Sequence, residues 1–158
     1  MLFRSADNPF TLGVASGYPL ADGATLWTRL APSPEAPGFG LGPADIPVRW
    51  EVAEDRLFTR LAASGTALAE GSWSHAVHVD VKGLAPAREY FYRFIAGGAS
   101  SAVGRTRTAP APGDENRRLR FVFASCQHYE QGYYGAYRQM VANDPDVFLF
   151  LGDYIYET

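Results

Sequence analysis

At 158 residues the chain has room for one or two domains, and a balance of 47% hydrophobic to 20% charged residues belongs to a folded globular protein, not a disordered one. A formal net charge of -3, with arginine runs (Arg117, Arg118, Arg120) too short to track a phosphate backbone, argues against a nucleic-acid surface. No apolar stretch approaches the ~20 residues of a membrane span, and a single cysteine cannot form an internal disulfide.

In chain order, the opening MLFRSADNPF lacks the basic start, apolar centre and small-residue cleavage site of a secretory signal, so the expectation is a cytosolic protein or a signal lying upstream. Short strands separated by turn signals follow: TLGVAS, ATLWTRL, PVRWEVAED, a weaker stretch around FTRLAASG, HAVHVDV, EYFYRFIA and VGRTRTA. Val48, Trp50 and Val52 alternate with Arg49 and Glu51, and Val77, Val79 and Val81 with His78, Asp80 and Lys82. Period-two alternation buries one face and wets the other, which places Arg49, Glu51 and His78 outward; His75 is read as a surface residue too. The segment from Ala31 to Pro47 is too rich in Pro and Gly for a helix or central strand and reads as a long loop. Together, residues 1–108 read as an all-β sandwich. GLAPAREYFYRF, Gly83 to Phe94, resembles the E-to-F corner of a fibronectin type III or immunoglobulin-like domain. The resemblance implies a tyrosine corner, with the Tyr90 hydroxyl bonded back to upstream backbone near Leu84 and Pro86.

Residues 109–117 (APAPGDENR) read as a linker, and the grammar then changes. The runs from Leu119 to Ala124 and from Val147 to Leu151 are continuously apolar, as in parallel strands covered on both faces. Between them Tyr133, Tyr137, Met140 and Val141 recur at helical spacing, and Asn143-Asp144-Pro145 supplies a stop. This is one βαβ unit, which cannot bury its own sheet. Residues 118–158 are therefore expected to open a larger α/β domain.

Parallel strands joined by a right-handed crossover place their carboxyl ends side by side, and ligand sites of open α/β sheets form in that crevice. Cys126 ends the first run and Asp153 follows the second. Tyr156, three positions on, returns to the same face if the chain turns helically. Thiolate, carboxylate and phenolate carry three negative charges, and a phenol of ordinary pKa about 10 ionises at neutral pH only beside a strong Lewis acid. That favours ferric iron over zinc or magnesium.

GDYIY, Gly152 to Tyr156, fits the GDxxY signature of binuclear metallophosphoesterases. With FASCQ, YYGAY and LGDYIYE, the chain from NPFTLGVASG onward resembles the PhoD-type alkaline phosphatase D family. The resemblance implies a fibronectin III-like N-terminal domain before a calcineurin-like metallophosphoesterase domain, with Fe3+ and Ca2+ as cofactors. Cys126 and Tyr156 would be terminal iron ligands, and Asp153 would bridge iron to calcium. It further implies hydrolysis of phosphate mono- or diesters by a water-derived nucleophile, a monomeric protein, and export by the twin-arginine route to a secreted, periplasmic or cell-surface location. The family's further Asp, Asn and His ligands and its phosphate-gripping residues belong after Thr158, so turnover by these 158 residues alone is expected to be negligible.

Taken singly, each residue has a plainer reading: Cys126 a small buried hydrophobe, Asp153 a turn or helix cap, Tyr156 a half-buried aromatic. His128 reads as an exposed loop residue, outside the ligand set, and YYGAY as helix packing. No nucleotide-cradling glycine loop and no CxxC pair is present, and a cysteine hydrolase built from Cys126, His128 and Asp153 is only weakly supported. The alternative to the enzyme is a non-catalytic sandwich domain for binding, carrying a vestigial tail.

Overall fold

The computed structural model describes residues 8–114 and 118–157. Glu115, Asn116 and Arg117 of the expected linker, the opening seven residues and Thr158 lie outside that description. The chain divides into two compact units, Met1–Asp114 and Glu115–Thr158.

Among the described residues the first unit holds eight strands: β1 (Val14–Leu20), β2 (Gly23–Arg29), β3 (Ile46–Ala53), β4 (Leu61–Ala69), β5 (Ala76–Val81), β6 (Glu89–Ala96), β7 (Ala99–Ser100) and β8 (Gly104–Arg107). One sheet has the order β1-β2-β5; the other runs β4-β3-β6-β7, with β8 also paired to β6. All pairings within these sheets are antiparallel. Leu26, Val77, Val79 and Val81 of the first sheet and Val48, Val52, Tyr90, Tyr92 and Phe94 of the second belong to a single apolar cluster. A side chain as fully enclosed as Phe94 contributes about 2 kcal/mol of burial.

The expected strands recur with shifted ends. β1 starts three residues later than TLGVAS because a turn, closed by the Gly13 N–H on the Phe10 carbonyl (3.0 Å), occupies its first positions. β4, the weakest strand signal, is nine residues long. Its small side chains mute the alternation but let the Trp50 indole lie across Gly65, where a Cβ would come within 2.6 Å of the ring. The loop of residues 31–45 is irregular apart from a short 3-10 turn at Pro37–Gly40.

Two burial expectations are corrected. Glu51 does sit on the outer face of β3, yet only 2% of it is exposed. Its cross-strand partner Arg93 pairs with it at 2.7 Å, Arg49 pairs with it as well, and the Arg93 guanidinium lies 4.1 Å from the Phe58 ring centre. A carboxylate taken out of water needs this compensation. His75 is 3% exposed, not a surface residue, because successive left-handed residues, Ser74 and His75, fold the chain inward before β5. Its ring nitrogens lie 3.1 Å from the Ala69 carbonyl oxygen and 2.9 Å from that of Gly42, tying β4 to the long loop. His78 is exposed, as its alternation requires.

The tyrosine corner is present: Tyr90 is buried, and its hydroxyl accepts a hydrogen bond from the Ala85 N–H at 2.9 Å.

The second unit holds β9 (Phe121–Ala124), α1 (Gly135–Ala142) and β10 (Val147–Phe150), with β9 and β10 paired in parallel. At their amino ends the Arg120 N–H donates to Asp146 (2.9 Å) and the Arg120 guanidinium to Asp144 (2.8 Å), which pins the register. Tyr133 falls outside the helix and is 94% exposed, because Tyr134 takes a left-handed conformation at the helix start. The stop at Asn143 to Pro145 is as expected, with the Asn143 and Asp144 N–H groups closing on the Met140 and Val141 carbonyls. No described residue of this unit is fully buried. One helix of eight residues cannot cover both faces of a sheet. Among the described residues no helix is long and apolar enough to cross a membrane.

Replacing Tyr90 with Phe removes the hydrogen bond from the Ala85 N–H and is expected to destabilise the first unit by about 0.5–1.5 kcal/mol. All three tryptophans (Trp27, Trp50, Trp73) lie in that unit, so tryptophan fluorescence during urea unfolding reads it selectively. An unchanged midpoint would show that the corner bond carries no stability.

Candidate metal centre

The parallel pairing does not stop where the strands do. Beyond Ala124 and Phe150 the backbone bonds continue: Leu151 N–H to Ala124 O (2.8 Å), Cys126 N–H to Gly152 O (3.0 Å), Gln127 N–H to Asp153 O (2.9 Å) and Tyr129 N–H to Tyr154 O (2.8 Å). Each chain also takes a left-handed residue at the same level, Cys126 at φ +56° and Asp153 at φ +59°. Side chains that a regular strand sends to alternating faces are thereby redirected.

The result is contact between the two expected ligands, with Cys126 Sγ donating to Asp153 Oδ2 at 3.5 Å. Tyr156 reaches the same place through bends, not through the helical turn anticipated from its spacing. The Tyr156 phenol is pushed up to about 12, chiefly by its hydrogen bond with Cys126, then by burial, and then by the negative charge of Asp153 and Cys126. Thus the three residues singled out in the sequence meet.

The chemistry of this donor set fits a cation of high charge. The Tyr156 phenol holds its proton beside a thiol and a carboxylate; with all three ionised the groups repel, and only a positive ion offsets that repulsion. Among the described residues no group of three or more His, Cys, Asp or Glu side chains converges, so the phenol is what completes a set of three.

His128, outside the expected set, lies against the Tyr156 ring: the centroids are 5.1 Å apart and the planes differ by 17°. Its only sequence signal is its position two residues after Cys126. The YYGAY tyrosines take part in packing. Tyr134 and Tyr137, with Tyr129, Phe148, Phe150 and Tyr154, line an open aromatic hollow of about 450 Å3 beside the helix.

A parallel strand pair with acid donors at its carboxyl edge defines a class of chain whose ligand site lies at strand ends. Comparison with known proteins then names the family. A model described as PhoD-like phosphatase, N-terminal domain, matches residues 3–110, and one described as PhoD-like phosphatase matches residues 121–158. The chain belongs to the PhoD-like phosphatase family. It is 52% identical over 149 residues to alkaline phosphatase D of Bacillus subtilis (strain 168), covering 94% of this chain and 25% of that protein. A solved structure of PhoD is 50% identical and superposes with a TM-score of 0.93, covering 98% of this chain and 29% of the other. The chain thus spans about a quarter of the length of the curated relative.

With its folded value raised from 10.0 to about 12, Tyr156 favours the folded state fully below pH 10 and loses that contribution as pH rises toward 12. In ultraviolet difference titration of the metal-free protein, Tyr156 is expected among the last phenols to ionise, and Tyr156→Phe should remove absorbance only from the top of the curve. Loss of absorbance within the ordinary tyrosine range would contradict the hydrogen bonding described.

Proposed function

We propose that this chain is the N-terminal portion of a metal-dependent phosphoric ester hydrolase acting on phosphate mono- or diesters. Residues 1–108 form its fibronectin III-like sandwich domain, residues 109–117 a linker, and residues 118–158 the first βαβ unit of a calcineurin-like metallophosphoesterase domain. The observation that carries the reading is the 3.5 Å approach of Cys126 Sγ to Asp153 Oδ2, beside a Tyr156 phenol that these two groups hold above the usual phenol range. Membership of the PhoD-like phosphatase family and the match of residues 121–158 support it.

In this reading Cys126 and Tyr156 would be terminal ligands to Fe3+, and Asp153 would be shared between Fe3+ and Ca2+. The chemistry such cations would supply is a lowered pKa for a bound water and neutralisation of charge on phosphate oxygens. The chain's own part is to hold three acids close together at one sheet edge. A thiol and a phenol bind a cation only after losing their protons, so uptake of a metal would release protons and weaken at low pH. The whole protein is read as a monomer exported by the twin-arginine route, and these 158 residues alone as without appreciable turnover.

Titration of the chain with ferric ion tests the centre directly. A visible phenolate-to-iron band is expected, with Tyr156→Phe abolishing it and Asp153→Ala weakening ferric affinity by at least about 100-fold. An identical spectrum in Tyr156→Phe would remove the tyrosine from the ligand set. Phosphatase activity of the 158-residue chain itself, sensitive to Asp153→Ala, would overturn the claim that the site needs further ligands.

A further inference from the structure

The imidazole of His128 is placed with unusual constraint for a loop side chain. Its backbone is left-handed, at φ +47°, a conformation that glycine adopts with less strain. The chain is tied on both sides of it: the Gln127 N–H donates to Asp153 O (2.9 Å), the Tyr129 N–H to Tyr154 O (2.8 Å), and His128's own carbonyl accepts from the Gln131 N–H (2.9 Å). The ring nitrogen Nδ1 is closed off from solvent and has no hydrogen-bond partner among the described residues. That nitrogen therefore does not explain the placement of the ring. What the ring does meet is the flat face of Tyr156, 5.1 Å between centroids and 17° from parallel.

Tyr156 needs such a support. It lies past the end of β10 in neither helix nor strand, and 41% of it is exposed. A phenol on such a segment has several staggered rotamers open to it, and only those that return to Cys126 and Asp153 put its hydroxyl in the cluster. We infer that His128 is a positioning residue whose ring face holds the Tyr156 phenol aimed at Cys126 and Asp153 before any cation arrives. An aromatic plate against one side of the phenol removes the rotamers that swing away, so a cation meets an ordered ligand set and has less freedom to arrest on binding. The purpose assigned to the contact rests on the metal centre proposed above; the contact itself does not.

The test compares the full 158-residue chain with His128→Ala and His128→Phe, first without metal. Stacking predicts Tyr156 ring protons shifted upfield in the NMR spectrum, with cross-peaks to the His128 ring. The shift should be lost in His128→Ala and kept in His128→Phe, which retains a flat face without nitrogen. Ferric titration should then show His128→Ala needing about 10-fold more ion for the same phenolate-to-iron absorbance, with His128→Phe close to the parent chain. Should His128→Ala disturb the loop as a whole, the His128→Phe arm still decides the matter. Tyr156 shifts unchanged in His128→Ala would overturn the inference. So would a His128→Phe chain with intact stacking and ferric binding as weak as that of His128→Ala, since an imidazole nitrogen would then be what matters. If the ring shifts behave as stated and the parent chain takes up no ferric ion, the metal centre fails and the positioning contact stands.

Discussion

The candidate site depends on one constraint, the continuation of parallel backbone pairing past the ends of β9 and β10. Strand ends usually diverge, but here four further hydrogen bonds keep residues 124–129 and 151–154 side by side. Only because the two chains stay in register for those steps do left-handed residues at Cys126 and Asp153 turn a thiol and a carboxylate toward each other. Backbone strain at such positions persists where surrounding bonds hold it, and the continued ladder supplies them.

Cys126, Asp153 and Tyr156 bring three acidic groups together. Their mutual hydrogen bonds keep Tyr156 protonated far above the usual range of a phenol, which is what like charges crowded together do when nothing positive separates them. Ionising all three at once would require a positive charge to offset their repulsion.

The two units meet the demands of burial differently. In the first, both sheets contribute to one apolar cluster, and the polar groups drawn inside are compensated: Glu51 by Arg93 and Arg49, His75 by carbonyl oxygens at each ring nitrogen. In the second, apolar side chains such as Phe121, Phe123 and Ile155 are more than half exposed, and an aromatic hollow opens beside the helix. A short strand-helix-strand unit has too little surface to cover itself, whatever its sequence.

The sequence by itself determined seven of the first unit's eight described strands, all but the two-residue β7, together with the tyrosine corner, and it singled out Cys126, Asp153 and Tyr156, because these are written in local periodicity and short motifs. Alternation along β3 correctly put Glu51 on the outer face, but only the tertiary structure decided that it is buried. Its cover comes from Arg93 on a strand some forty residues later, and local periodicity carries no information about a cross-strand neighbour. His75 was hidden for the same reason, its partners being carbonyls of Ala69 and Gly42 that no pattern in its own segment announces. The stacking of His128 on Tyr156 likewise required two separate loops to be held in one register. Motifs name the donors; the long-range backbone ladder decides where they point, because it alone sets the distance between segments far apart in the chain.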